Sequence, residues 1–469
     1  MAVAERPGLA VVTPHEMAAI DAAAPEGTDV LIDRAGAATA AAARRLLGGT
    51  YGRRVVVLAG KGNNGNDGRA AAARLARVGV AVEVIDALAA PEVLPPCDLV
   101  IDAAFGTGFR GAWRAPSTGS GAQPLVLAVD IPSGVDGTTG VVGPDSAPLP
   151  ADVTITFAAL KPGLLLAEGR RLAGRVEVAD IGLDTSAAAA TLLTDAAVAA
   201  AFPARADDDH KWRSAVWVVA GSPGMDGAAS LVCAGAARSG AGYVRLSVPG
   251  GGTDAPHAPA EVVRTALPQT GWGAQVVDGT ARFAAVVVGN GLGLGHDPAE
   301  VAAVAAGCAV PVVVDGDGLT LLAAAAPTPP LGDHVVLTPH DGEFARLAGA
   351  PPGPDRIGDV RRLAAGLGAV VAAKGPTTVV AHPDGRALVV ASGDARLATA
   401  GTGDVLAGMV GALCAGGVEP WLAAGMAAHL HGSAAALGWR TGFVASDLPP
   451  LIPAAIDALS GLPPVGVRR

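Results

Sequence analysis

At 469 residues the chain has room for two domains with sizeable cores, and its net charge of −10 excludes the concentrated positive surface that nucleic acid or an anionic membrane demands. The four cysteines, Cys97, Cys233, Cys308 and Cys414, are far apart and form no Cys-x-x-Cys pair, which argues against zinc and against a disulfide framework. Lysine is scarce in this arginine-rich chain: Lys61, Lys161, Lys211 and Lys374 are the whole set, each in or beside a segment punctuated by Gly or Pro. Lysine is a compact point charge and arginine a planar fork, so retention at these four places predicts close contacts such as those to phosphate, with chance retention as the alternative. Asparagine is as scarce, with Asn63, Asn64, Asn66 and Asn290.

The first residues include Glu5 and lack the apolar core of a secretory signal, so a cytoplasmic location is expected. Apolar runs at residues 55–59, 99–101, 125–129, 216–220, 284–288, 310–314, 335–337 and 370–373 each lead into a Gly-rich turn and then a helical stretch. That rhythm predicts an α/β protein with mostly parallel sheets, whose ligands bind at the carboxyl ends of the strands. An alanine-rich stretch ending in Asp207, Asp208 and Asp209 marks a linker, so the domains are expected at 1–206 and 207–469. Residues 113–123 and 250–259 read as surface loops. Residues 420–439 carry no Asp, Glu, Lys or Arg and have the length of a membrane span, but His429, His431 and three glycines favour a buried helix.

The first run leads into Gly60-Lys61-Gly62-Asn63-Asn64-Gly65-Asn66-Asp67-Gly68, with a helix expected from about Arg69. Glycines admit a ligand to the backbone, and helix-start N–H groups favour an anion such as a pyrophosphate. The spacing fits neither a hydride-transfer fingerprint nor a Walker A loop, and a purely structural turn is the alternative. Asp102 with Phe105-Gly106-Thr107-Gly108, Asp130-Ile131-Pro132-Ser133-Gly134 and Lys161-Pro162-Gly163 follow later strands, bringing oxygens suited to a hard cation or a ribose.

Further along, Ala400-Gly401-Thr402-Gly403-Asp404 is a glycine turn opening a helix with a carboxylate in its first turn. Such a turn can stabilise a transferring phosphoryl group while Asp404 takes the proton of an attacking alcohol, although an Asp placed for the helix dipole alone is the simpler reading. Lys374-Gly375-Pro376-Thr377-Thr378 offers a nucleotide-phosphate contact.

Taken together, the first set of segments resembles the NAD(P)H-hydrate epimerase family. The second, joined by His210-Lys211, Gly221 to Ala229, Gly289-Asn290-Gly291, Asp315 to Asp317, His340 and His431-Gly432, resembles the ADP-dependent NAD(P)H-hydrate dehydratases. The resemblance implies an N-terminal Rossmann-like three-layer domain and a C-terminal ribokinase-like α/β domain. Asn64, Asp102 and Ser133 would ligate K⁺. Asn63, Asn64, Gly65, Asn66 and Asp67, with Gly106, Thr107, Gly108, Phe109, Arg110, Gly111 and Ala112, would hold the hydrated dinucleotide, and Asp130 would do acid/base work beside its reacting carbon. In the second domain Asp404 would be the base. Lys374, Gly375, Pro376, Thr377, Thr378 and Gly403 would hold ADP with Mg²⁺, and Ala229, Gly291 and His340 would contact the hydrate. The implied partners are these small molecules, with no nucleic acid or membrane, in a homo-oligomer. Three residues depart from the family pattern: Asn66 where Gly is usual, which is expected to crowd the phosphates, Asn290 where Pro is usual, and Ala400 where Gly is common. Two other readings stand beside this one, a ribokinase-like vitamin or sugar kinase and a non-catalytic N-terminal binding module.

Overall fold

The computed structural model describes residues 8–252, 257–325 and 330–459. Residues 253–256, part of the loop expected over 250–259, and residues 1–7, read above for a signal sequence, lie outside the described set. The chain forms two compact units that divide between Ala190 and Thr191, earlier than composition suggested. The alanine-rich stretch read as a linker folds into a strand, Ala190–Leu193, and a helix, Asp195–Ala201, capped by Thr194. Leu193 and Val198 enter the C-terminal core, so that segment belongs to the second unit.

In chain order the first strands are β1 (Gly8–Val11), β2 (Arg54–Ala59), β3 (Ala81–Asp86), β4 (Leu99–Ala103), β5 (Leu125–Val129), β6 (Val153–Phe157) and β7 (Arg175–Ala179). Strands β2 to β7 form a six-stranded sheet in the order β3-β2-β4-β5-β6-β7, parallel throughout. Alternate residues serve opposite faces. Val55, Val57 and Ala59 pack beneath the helices Thr28–Leu47 and Asn63–Arg77, while Val56 and Leu58 face Leu94, Leu149 and Ala151 of the connecting segments. Chain order reverses at β2, which lies between β3 and β4, and that switch opens a crevice at the carboxyl ends of β2 and β4.

The C-terminal unit adds β8 (Ala190–Leu193), β9 (Ala215–Val219), β10 (Tyr243–Ser247), β11 (Val263–Arg264), β12 (Ala285–Val288), β13 (Val312–Val314), β14 (Val335–Leu337), β15 (Val370–Ala373), β16 (Thr378–Ala381) and β17 (Ala387–Val390). Their order is β8-β17-β16-β15-β14-β13-β12-β9-β10-β11. Pairing is parallel from β15 across to β11 and antiparallel between β15, β16 and β17. The switch here falls at β9, flanked by β12 and β10. The charge-free segment forms the helix Pro420–Ala436, buried on nearly every face within the core. Among the described residues no helix is long and apolar enough to cross a membrane.

Candidate active sites

The first site grows from the turn after β2. The helix begins at Asn63, six residues before the sequence suggested, with Gly62 as its N-cap. Gly65 and Gly68 are poor helix formers, but packing requires them. A Cβ on Gly65 would lie 2.0 Å from the Gly60 carbonyl oxygen, and one on Gly68 would lie 2.5 Å from Ala103 Cβ. Arg69 Nη1 donates to Gly60 O at 2.7 Å and closes the turn.

At the crevice lies a cavity of about 450 Å³. Asn63, Asn64, Asp67, Gly106, Thr107, Gly108, Phe109 and Asp130 line it, joined by Met17, Asp21 and Lys161. Gly65, Asn66, Arg110, Gly111 and Ala112 are not among its lining residues. The crowding expected of Asn66 therefore has no counterpart in the cavity wall.

Asp130 holds a left-handed backbone at φ 68°, a strained conformation for a residue with a side chain. Its Oδ1 sits 2.7 Å from Lys161 Nζ and accepts from Thr156 Oγ1 at 3.2 Å, while Oδ2 accepts from the Thr107 amide at 3.4 Å. Lys161 is 2% exposed and also donates to Thr156 Oγ1 and to Phe157 O, at 2.9 and 3.1 Å. The phosphate contact expected of this lysine gives way to a buried pair with the carboxylate. Burial pushes the Asp67 carboxyl up to about 8, helped by the charges of Asp130 and Asp21. Asp21 is raised as well, chiefly by burial, with Lys161 working against the shift. No sequence signal pointed to Asp21; the helix Pro14–Ala22, fixed by a Thr13–Glu16 capping box, brings Met17 and Asp21 to the cavity one turn apart.

Asp102 is buried, and burial raises its pKa against the donors that surround it. Ser133 N and Oγ donate to its two oxygens at 2.9 and 2.6 Å, and the Ser133 hydroxyl accepts from Phe105 N at 2.9 Å. Both polar atoms of the Asn64 amide are buried without a hydrogen-bond partner. A buried carboxylate and an unpaired amide oxygen are a donor set suited to a hard cation.

The second site lies at the carboxyl ends of β9, β12, β13, β14 and β15. At the switch point the Gly221 amide donates to Asn290 O at 2.9 Å and joins the loops after β9 and β12. Gly401, at φ 93°, turns the chain into the helix Thr402–Ala415 and places Asp404 in its first turn. Asp404 Oδ1 accepts from Asn290 Nδ2 at 2.7 Å. Burial lifts Asp404 to about 6, the Asn290 hydrogen bond opposes the rise, and Asp315 and Asp317 add to it while Lys374 subtracts. Lys374 Nζ bonds Asp315 Oδ1 at 2.7 Å and lies 3.7 Å from Glu343 Oε2. Burial disfavours the Lys374 ammonium, but these two carboxylates outweigh it and raise its pKa. A Cβ on Gly403 would lie 3.5 Å from Lys374 Nζ, so the lysine crosses the anion turn directly. Arg356, which sequence reasoning missed, donates to Lys374 O at 2.7 Å and to Asp341 Oδ1 at 2.9 Å, fixing the loop of Gly375 to Thr378. His431, buried and pushed down to about 4 chiefly by desolvation, stays neutral, with Nε2 2.9 Å from Thr402 O.

The expected hydrate contacts are more dispersed. Ala229 lines a cavity of about 240 Å³ with Gly221, Ser222 and Leu246, and Ser222 Oγ donates to Gly291 O at 2.8 Å. His340 caps the helix Asp341–Ala348, accepting from Gly342 N at 2.9 Å through Nδ1, and lines none of these cavities.

A larger cavity, about 750 Å³, includes Arg205, His210, Lys211 and Arg238 in its lining. It lies at the other end of the sheet, beside Ser214 and Gly242, which immediately precede β9 and β10. Ser239 and Gly416, the C-caps of the helices Asp226–Arg238 and Thr402–Ala415, also line it. Cations there offset the negative ends of two helices, and the phosphate role expected of Lys211 finds no nucleotide site nearby.

The second unit has a ribokinase-like fold. A ribokinase-like superfamily protein from Enterococcus faecalis V583 superposes with a TM-score of 0.50 at 22% identity, covering 58% of this chain and 97% of its own. Residues 216–456 match the family described as NAD(P)H-hydrate dehydratase, and residues 28–94 and 85–163 match the YjeF-related protein N-terminus. The bifunctional NAD(P)H-hydrate repair enzyme Nnr of Mycobacterium leprae is 38% identical over 90% of this chain and 91% of its own length. The Escherichia coli protein of the same name is 33% identical over 84% of each. The chain belongs to the bifunctional NAD(P)H-hydrate repair enzyme family. Relatives match across both units, so the vitamin or sugar kinase reading is set aside.

Proposed function

We propose that this chain repairs hydrated NAD(P)H, its N-terminal unit interconverting the C6 epimers and its C-terminal unit dehydrating the S hydrate at the expense of ADP. The observation that carries the reading is Asp404, a partly buried carboxylate with a pKa of about 6 beside the Gly401-Thr402-Gly403 turn, with Lys374 crossing that turn. At neutral pH such a group is mostly ionised and still basic enough to accept a proton. Asp404 takes the proton of the C6 hydroxyl as that oxygen attacks the terminal phosphorus of ADP, and the bond from phosphorus to the AMP oxygen breaks. The new ester then leaves as phosphate while C5 loses a proton, which restores the ring double bond. Water is a poor leaving group and phosphate a good one, so the nucleotide has a chemical purpose.

Lys374, Gly375, Pro376, Thr377, Thr378 and Gly403 hold the nucleotide, whose diphosphate carries Mg²⁺. Ala229, Gly291 and His340 contact the hydrate. In the N-terminal unit, inversion at a carbon bearing both a hydroxyl and the ring nitrogen requires one of those bonds to break and reform, with an acid and a base at that carbon. Asp130 supplies the base. Asp67, kept neutral at pH 7 by burial, supplies the acid. Asn64, Asp102 and Ser133 would hold K⁺, whose positive charge offsets the buried Asp102 carboxylate.

The test is recovery of absorbance at 340 nm from a mixture of both NADPH hydrate epimers with ADP and Mg²⁺. Complete recovery is expected. Asp404→Ala should abolish it, and Asp130→Ala should stall it near half on a time scale shorter than spontaneous epimerisation. No recovery with ADP or ATP would refute the proposal.

A further inference from the structure

Asn290 follows β12 between two glycines whose backbones only glycine adopts readily, Gly289 at φ 119° and Gly291 at φ 57°. Neither can gain a side chain without collision: a Cβ on Gly289 would lie 2.3 Å from Asp315 O, and one on Gly291 2.9 Å from Ala228 Cβ. The loop is thus held rigidly, and Asn290 is fully buried within it. Its Nδ2 donates both hydrogens to carboxylates, one to Asp404 Oδ1 at 2.7 Å and the other to Asp315 Oδ2 at 2.8 Å. Asp315 gives its second oxygen to Lys374. Asn290 Oδ1 is buried and has no partner. The amide cannot flip, because turning its carbonyl onto either carboxylate would replace an attraction by a repulsion.

We propose that Asn290 is the positioning residue for Asp404: its amide fixes the carboxylate at the anion turn and ties it through Asp315 to Lys374. The inference rests on the reading of Asp404 as the base. Around Asp404 stand Asp315 and Asp317 from the segment after β13, Lys374 after β15, Glu343 beyond Lys374, and neutral His431 from the helix Pro420–Ala436. The only cation in that set is bound to Asp315, so an uncharged donor is what separates two carboxylates that would otherwise repel each other. Proline, which the family pattern leads one to expect at this position, has no side-chain donor and would leave that separation to other groups.

The consequence is legible in a pH profile. A hydrogen bond to the ionised form lowers a carboxyl pKa, so removing it raises the pKa of Asp404 and moves the acid limb of kcat to higher pH. Charge-assisted hydrogen bonds of this kind correspond to a shift of about one to two pH units. In the full-length protein, dehydration of the S hydrate should be followed from pH 5 to 9 for the unsubstituted chain, Asn290→Ala and Asn290→Ser. The expected result is an acid limb that moves up by about one unit or more in Asn290→Ala, with kcat near pH 9 recovering to within a few-fold. Asn290→Ser, which keeps one donor, should fall between and serves if the alanine variant does not fold. A uniform loss of kcat at every pH, or no change, would overturn the proposal. Should the unsubstituted protein fail to dehydrate the hydrate, the reading of the site falls first. Carbon-13 titration of Asp404 in the folded proteins then decides the inference separately, and equal midpoints with and without the Asn290 amide would overturn it.

Discussion

Lys161→Met keeps the length and apolar stem of the side chain and removes only the ammonium. In the structure that ammonium sits 2.7 Å from Asp130 Oδ1 and donates to Thr156 Oγ1 and Phe157 O. Without it Asp130 shares its cavity with Asp67 and Asp21 and no lysine. Breaking a buried ion pair by removing one partner costs about 3–5 kcal/mol. Lys161 is 2% exposed but Asp130 is 16% exposed, so water can partly solvate the stranded carboxylate and the lower end, about 3 kcal/mol, is the better figure. For a domain of this size each kcal/mol moves the midpoint by about 2–4 °C, so the N-terminal transition should fall by roughly 6–12 °C. Differential scanning calorimetry measures that shift. Epimerisation, followed as the slow phase of NADPH recovery with the C-terminal unit in excess of need, should drop at least ~100-fold, while recovery from the pure S hydrate stays unchanged. Lys161→Arg should rescue little, since a guanidinium fork does not fit a slot shaped for one buried ammonium. A Lys161→Met protein that melts within about 2 °C of the original and epimerises at the original rate would refute the reasoning.

Asp67 offers a pH test with a definite sign. Its folded pKa is raised to about 8, so between the unfolded value near 4 and pH 8 the folded state holds a proton that the unfolded state has lost, and stability falls as pH rises through that window. Asp67→Asn removes the penalty and should stabilise the N-terminal unit at pH 8–9 with little effect near pH 4; thermal melts across that range check it. Gly408→Ala should destabilise the C-terminal unit by at least ~1–3 kcal/mol in denaturant titration, because its Cβ would lie 2.0 Å from Val232 O where two helices touch backbone to backbone. Since the Asp404 hydrogen bonds are untouched, its kcat should fall without a shift in pH profile. Asn66→Gly should leave epimerase kcat/KM within about twofold and cost only about 0.2–0.5 kcal/mol of helix stability, since asparagine is itself a poor helix former, the first by coupled assay and the second by melting. A large gain in activity would show that Asn66 does obstruct the ligand.

The sequence alone determined the parallel α/β architecture, because continuous valine-rich runs bounded by glycine turns are what a sheet buried on both faces requires. It also put Asp130, Asp67, Asp404 and Lys374 in motifs that follow strands, the ends at which an open sheet binds its ligands. Local pattern misplaced the start of the Asn63–Arg77 helix and the division at Ala190, since glycine in one and alanine in the other look like loop and linker until packing supplies their reason. Pairings were beyond it. That Lys161 serves Asp130, that Asp21 joins the same cavity, that Arg356 holds the Lys374 loop and that one asparagine amide bridges Asp404 and Asp315 depend on strand order and on which switch point each loop meets. Those contacts join residues as many as 114 positions apart, and no local preference encodes a distance that only the assembled sheet creates.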